Sequence, residues 1–165
     1  MSEQKTMVET TNKTTFDTSS KTSSDTSSDT SSDATPAWRQ FFEADRFAVE
    51  NGCRIVEASP GYAKIELEVT PHHHNAVGIT QGGALYTLAD FSFAVASNAC
   101  NEKVVGTSTY MNYFKATRSG KLTAIAHETC RTRKLSTVEV KIYDESENLI
   151  ASFVGNGYVL GGELI

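Results

Sequence analysis

One nearly charge-free stretch constrains this chain more than any other feature. Between Glu68 and Glu102, Asp90 is the only Asp, Glu, Lys or Arg. From Gly82 to Ser97 the residues around it are small, apolar or weakly polar, and a helix that is apolar on every face belongs in a protein interior. A carboxylate in such a helix is either expensively desolvated or placed beside a group that uses it. The pattern predicts a buried central helix with a functional carboxylate; a structural carboxylate satisfied by a cap or a backbone donor is the alternative.

The start of that helix carries the second signal. Gly82 and Gly83 place backbone N–H groups without intrahelical partners at the positive end of the helix dipole. Glycine lets a ligand approach the backbone closely, and such a site suits a carbonyl oxygen that becomes an oxyanion during acyl transfer. Gly83 and Asp90 are roughly 10 Å apart along one helix. A second subunit, with its helix antiparallel to the first, could bring one subunit's Asp90 near the other's Gly83.

The remainder of the chain divides into a tail and one domain. Residues 1–35 are rich in Ser, Thr and Asp, and Thr-Ser-Ser-Asp occurs three times in residues 22–33. A segment with so little to bury is predicted to be disordered, either as a solubilising leader or as a phosphorylatable or tethering segment. Residues 36–165 are predicted to form the domain.

Composition excludes several classes of protein. A net charge of -5 and a pI near 5.4 argue against a nucleic-acid partner. No apolar run is long and charge-free enough to be a convincing membrane span, and the N-terminus lacks the apolar core of a secretory signal. The three cysteines are far apart and odd in number, which favours buried thiols in a reducing compartment over disulfides or a zinc site. The sequence therefore predicts a soluble, cytoplasmic protein.

Hydrophobic periodicity predicts the order of elements. An amphipathic helix runs from Thr35-Pro36 to Asn51-Gly52, and a hairpin joins strands at 53–58 and 64–69. The central helix spans about 82–98 and is followed by a four-stranded meander. The strands of that meander are predicted at 103–115, 120–132, 135–143 and 149–160. The sum is an α+β domain in which an antiparallel sheet wraps around the helix.

The turn and helix start resemble a known signature, N-x-x-G-x-x-[HQ]-G-G-x-x-x-x-L-x-D, of the PaaI-type thioesterases. The matching residues are Asn75, Gly78, Gln81, Gly82, Gly83, Leu88 and Asp90, and the segment Asn112–Phe114 is similar to a later strand of the family. Members of this family are hotdog-fold enzymes that hydrolyse acyl-CoA thioesters. The resemblance covers about residues 40–160 and implies a five- to six-stranded sheet around the helix. It also implies a homodimer, assembling further to a tetramer as a dimer of dimers, with no cofactor.

The resemblance implies roles for individual residues. Asp90 is the catalytic carboxylate, acting as general base on water or as nucleophile, and Gly83 supplies an N–H to the thioester oxygen. Asn75, from the opposite subunit, orients the water or the thioester. Further contacts to the substrate are expected from Gly82, Gln81, Tyr86 and Thr107, the last in a region where some relatives place a water-binding hydroxyl. Tyr86, Phe91 and Phe93 are expected to wall a slot for the acyl group.

Gln81 occupies a position where many relatives have histidine, although other relatives carry this glutamine too. An amide can donate a hydrogen bond but does not titrate near neutral pH. Two rival functions stay open: a hotdog dehydratase or hydratase, for which His74 could serve, and a non-catalytic module that binds acyl-CoA or an acyl carrier.

Three other groups of residues invite interpretation. The run His72–His74 alternates in direction on an extended segment, and no nearby Cys, Asp or Glu completes a metal shell. His127 and Cys130 are three residues apart on a strand, which argues against a nucleophile–base pair. Basic side chains near two turns could hold the phosphates of coenzyme A, or simply keep a sheet edge charged. These are Lys115, Arg118, Lys121, Arg131, Arg133 and Lys134.

Overall fold

The computed structural model describes residues 37–165. The Ser/Thr-rich tail and the helix start at Thr35-Pro36 lie outside the described residues. Two short helices come first, α1 at Ala37–Glu43 and α2 at Arg46–Glu50, where the sequence predicted one. The break occurs at Asp45, whose Oδ1 accepts the N–H of Ala48 at 3.2 Å and so begins a new helix.

Six strands and one long helix make up the rest. The strands are β1 (Arg54–Ser59), β2 (Tyr62–Val69), β3 (Glu102–Tyr113), β4 (Gly120–Arg131), β5 (Leu135–Tyr143) and β6 (Leu149–Glu163). The helix α3 spans Gly82–Asn98, and a single 3₁₀ turn at Pro71–His73 precedes it. Each predicted strand is present with boundaries shifted by a few residues at most.

The strands form one antiparallel sheet in the order β1-β2-β4-β5-β6-β3. The predicted four-stranded meander is wrong, because β3 pairs with β6 rather than with β4, while β4 pairs with β2. Alternation along a strand shows which face is buried but says nothing about its neighbour. As a result β3, twelve residues long, lies at one edge of the sheet.

The sheet buries one face against α3. Alternate residues of β2, β4 and β5 meet Leu88, Val95 and other fully buried side chains of the helix. At the end of α3, Arg131 donates to the Ser97 carbonyl at 3.0 Å and completes the C-terminal turn. A single sheet wrapped around a central helix is the hotdog architecture, so the predicted fold class is confirmed. No helix among residues 37–165 is long and apolar enough to span a membrane.

One face of α3 departs from the prediction of complete burial. Gly83, Tyr86 and Asp90, spaced by three and four residues, form an exposed stripe on the single chain. The Asp90 carboxyl is therefore not enclosed by its own chain. A sequence pattern cannot distinguish a helix face covered by its own sheet from one left open, which is why the stripe was not foreseen.

Candidate active site on the central helix

Asp90 lines a cleft of about 430 Å³ between α3 and β3. Tyr86, Phe93 and Thr107 share its walls with the carboxyl group. The residue is open to solvent on one side, and partial desolvation by its surroundings raises the pKa of the Asp90 carboxyl above its ordinary value. The negative charge of Asp45 raises that pKa further. A raised pKa is typical of a carboxyl group that exchanges protons during catalysis.

Thr107 lies at an irregularity in the edge strand. The register of β3 on β6 shifts between Gly106 and Ser108, which leaves Thr107 as the extra residue of a β-bulge. Its hydroxyl donates to the carbonyl of Asn156 at 3.0 Å. The bulge thus presents the Thr107 side chain next to the Asp90 cleft, where sequence reasoning expected a substrate contact.

Tyr86 forms a wall between two clefts. Its hydroxyl shares a hydrogen bond of 2.8 Å with Thr109 Oγ1, and its ring packs edge-on against Phe153. The two further aromatic residues expected in an acyl slot behave differently. Phe93 is almost wholly buried and only borders the Asp90 cleft, while Phe91 points into the core against Phe42. The predicted slot therefore keeps Tyr86 as its one exposed aromatic residue.

The start of α3 is organised by Gln81. The side-chain Oε1 of this N-cap residue accepts the N–H of Gly83, and its backbone carbonyl accepts the N–H groups of Ala84 and Leu85. The N–H of Gly82 makes no hydrogen bond within the described part of the chain. The amide left for a ligand is therefore that of Gly82. The amide of Gly83, which the resemblance assigned to the thioester oxygen, is already taken.

Asn75 shapes the turn before the helix. Its Oδ1 accepts the N–H groups of Val77 and Ile79 at 3.0 and 3.3 Å, an arrangement in which an Asn side chain replaces a backbone turn. Gly78 in the same turn has a φ of +74°, which glycine adopts without strain. The Nδ2 of Asn75 makes no hydrogen bond to any residue in 37–165 and remains able to donate to a ligand.

The three consecutive histidines have separate environments. The buried His73 accepts the Thr70 N–H at Nδ1 and donates from Nε2 to the Asn51 carbonyl, at 3.0 and 2.9 Å. His74 Nε2 donates to the Arg118 carbonyl at 2.7 Å, and His72 is exposed. Within residues 37–165 no group of three or more His, Cys, Asp or Glu side chains could hold a metal ion.

A single chain divides the predicted site residues among three clefts. Asp90, Tyr86 and Thr107 line the first. A second contains Gln81 and Gly83, again with Tyr86, and a third contains Asn75 and Gly82. Sequence reasoning did not identify Phe47 in the second cleft or Lys115 and Tyr113 as a wall of the third. Tyr113 donates to the Gly82 carbonyl at 3.3 Å, and its place in the segment Asn112–Phe114 was the available signal.

Comparison with known proteins gives consistent results. Residues 77–151 match the Thioesterase superfamily. A protein provisionally named as an esterase, from Deinococcus radiodurans, is 37% identical over 125 residues, which cover 74% of this chain and 84% of that protein. The acyl-coenzyme A thioesterase PaaI of Escherichia coli is 26% identical over 132 residues, covering 78% of this chain and 94% of that protein.

Solved structures extend the comparison to three dimensions. A variant of the phenylacetic acid degradation protein PaaI from Thermus thermophilus is 33% identical and superposes with a TM-score of 0.67, covering 70% of this chain and 100% of that one. The structure of the Escherichia coli PaaI protein gives a TM-score of 0.73 at 26% identity, covering 75% of this chain and 91% of that one.

Proposed function

The chain belongs to the thioesterase superfamily, and we propose that it hydrolyses acyl-CoA thioesters to the free acid and coenzyme A with Asp90 as the catalytic carboxylate. It is a thioester hydrolase of the PaaI type, as the sequence signature predicted. One observation carries the proposal: the exposed face of an otherwise buried helix has a single charged group, and the pKa of that carboxyl is raised.

Two groups supply the chemistry in this account. Asp90 takes a proton from a water molecule, and the resulting hydroxide attacks the thioester carbon. The carbonyl oxygen gains the electron pair and is stabilised by the Gly82 N–H at the start of α3. Collapse of the intermediate breaks the carbon–sulfur bond, and the proton on Asp90 returns to the departing thiolate. Attack by the carboxylate itself, followed by hydrolysis of the anhydride, is the other route open to the same residue.

The site in this account is shared between two subunits. Gly82 and Asp90 are eight residues apart on α3, about 12 Å, and they line different clefts of one chain. A partner helix running antiparallel along the exposed stripe places the partner's α3 start beside Asp90. The edge strand β3 supports this association, because Val105, Tyr110 and Tyr113 on it are exposed apolar or aromatic side chains. We further propose that two such dimers associate as a tetramer.

Three free cysteines support a reducing location. Cys53 is buried, and desolvation raises the pKa of its thiol to about 12, so it stays protonated. Cys100 and Cys130 are also free thiols, but the prediction that the thiols are buried is wrong for them, because Cys100 is half-buried and Cys130 is exposed. We propose on this basis that the protein works in the cytoplasm.

The rival functions have less support in the geometry. A hydratase or dehydratase needs a histidine free to exchange a proton, whereas His74 Nε2 is engaged by the Arg118 carbonyl. A non-catalytic binding module would have no use for a solitary carboxylate on the open helix face.

The direct test measures hydrolysis of a panel of short-chain, long-chain and aryl acyl-CoA thioesters through the free thiol that is released. Asp90→Asn and Asp90→Ala are expected to keep the fold and to lower kcat by about a hundredfold or more. Glu139→Gln is the matched control, because Glu139 is an exposed carboxylate on β5, and its kcat should equal that of the wild type. Undiminished hydrolysis by Asp90→Ala would overturn the assignment, and tight acyl-CoA binding without any turnover by the wild type would favour the binding module.

A further inference from the structure

The cleft beside Gly83 contains an aromatic side chain that the mechanism does not use. This α2 cleft, about 510 Å³, is lined by residues that include Phe47, His72, Gln81, Gly83, Tyr86 and Thr87. The Phe47 side chain is 70% exposed on the single chain. Isolated apolar residues on a surface need no explanation, but this ring stands in a concave site next to the start of α3.

The backbone that carries Phe47 is held in place by hydrogen bonds. Asn51 Nδ2 donates to the Phe47 carbonyl at 2.7 Å, and the Asn51 carbonyl accepts from His73 Nε2. The adjacent Ala48 is buried in the core. His73 in turn accepts the backbone N–H of Gln81 at its carbonyl, 2.8 Å away. A continuous set of hydrogen bonds therefore fixes Phe47 relative to the N-cap of α3, which suits a wall that contacts a ligand.

The charges of the two clefts on either side of the helix start differ. Within residues 37–165 no Lys, Arg, Asp or Glu lines the α2 cleft, although the imidazoles of His72, His73 and His74 do. The cleft on the other side, which contains Gly82 and Asn75, has Lys115 in its wall. The phosphates of coenzyme A need cationic partners, whereas an uncharged acyl group needs apolar contact. Since a thioester carbon has its acyl group and its sulfur on opposite sides, the two clefts match the two halves of the substrate.

We propose that Phe47 is a specificity-determining residue: the α2 cleft receives the acyl group, which contacts the Phe47 ring, while the coenzyme A portion lies on the Lys115 side. This assignment rests on the proposed acyl-CoA hydrolysis. It ties the choice of acyl group to α2, a five-residue helix outside the signature.

The test compares kcat/KM for acetyl-, hexanoyl-, decanoyl- and phenylacetyl-CoA in the wild type and three variants. Phe47→Ala is expected to lower kcat/KM about tenfold or more for the larger acyl groups and less than about twofold for acetyl-CoA. Phe47→Leu retains apolar bulk and should keep most of the selectivity. Val49→Ala is the control, since Val49 is an exposed apolar residue of the same helix that does not line the cleft, and its profile should match the wild type.

Several outcomes would overturn the inference. Phe47→Ala could change kcat/KM equally for all four substrates or for none of them. Val49→Ala could change the selectivity as much as Phe47→Ala does, or the wild type could hydrolyse only acetyl-CoA. A lower molecular mass of Phe47→Ala in solution would do so too, because it would assign the ring to a subunit contact. A wild type that hydrolyses no acyl-CoA would instead refute the proposed function itself. Thermal unfolding of each variant confirms that the compared proteins are folded.

Discussion

A pair of substitutions at Gly82 isolates the proposed oxyanion donor. Gly82 is the first residue of α3 after the N-cap Gln81, the one helical position where proline is favoured, because its missing N–H has no intrahelical partner. Gln81 already has a ψ of 137°, an extended conformation compatible with a following proline. Gly82→Pro therefore removes the N–H group without breaking a backbone hydrogen bond, and puts the ring Cδ in place of the amide hydrogen. Gly82→Ala keeps the N–H, and its Cβ would lie 3.5 Å from the Tyr113 ring, an ordinary contact.

The size of the expected effect follows from what the amide does in the free protein. The Gly82 N–H has no hydrogen-bond partner among the described residues, so its loss should change the free energy of unfolding by less than about 1 kcal/mol. Loss of one oxyanion donor usually lowers kcat by about 10²- to 10³-fold, or roughly 3–4 kcal/mol of transition-state stabilisation. Gly82→Pro is thus expected to fold normally with a much lower kcat, and Gly82→Ala to retain most activity. Thiol-release kinetics and thermal unfolding give both quantities. A Gly82→Pro variant within about threefold of Gly82→Ala in kcat would refute the reasoning.

Four further results are expected. Desolvation raises the pKa of Asp90, so kcat/KM should decline on acidification with a midpoint above about 3.9. For the same reason Asp90→Asn should raise the Tm at pH 7. That gain should be lost below about pH 3.9, where the Asp90 carboxyl of the wild type is protonated in both the folded and the unfolded protein. A flat pH profile would contradict this. Arg131→Met removes the hydrogen bonds of Arg131 to Ser97 and to the half-buried Glu128, at 3.0 and 2.8 Å. The free energy of unfolding should fall by about 2–3 kcal/mol. The Tm should fall by roughly 8–12 °C, and a shift under about 2 °C would contradict this prediction. Lys115→Ala should raise KM for acyl-CoA but not for the N-acetylcysteamine thioester of the same acid, and an equal change in both would argue against a phosphate contact.

The sequence predicts elements better than their arrangement. Period-two alternation in 135–143 and the glycine pair that opens 82–98 locate β5 and α3 with the bounds that the structure has. Those signals are local, whereas the pairing of β3 with β6 depends on residues about 50 positions apart. A strand pattern cannot specify such a partner, and the predicted meander failed for that reason.

The candidate site shows the same division. Asp90 is recognisable from sequence because it is the one charge in a long neutral stretch. The hydrogen bond from Gly83 to Gln81 depends on a side-chain rotamer, which no sequence pattern encodes, and it decides which glycine amide is available. The sequence does not single out Phe47, because an aromatic residue on a short amphipathic helix is ordinarily part of the core, as the nearby Phe42 is.

The claim that the site is shared between subunits is tested most directly by complementation. Asp90→Asn and Gly82→Pro are each expected to be nearly inactive alone. If Asp90 of one subunit works with the Gly82 amide of its partner, each mixed dimer has one site with both groups intact. Co-expressed at equal levels, the two variants form mixed dimers in about half of the population, so activity should return to about a quarter of the wild-type value. If both groups act within one chain, the mixed dimers contain no intact site, and activity as low as that of the separate variants would contradict the account.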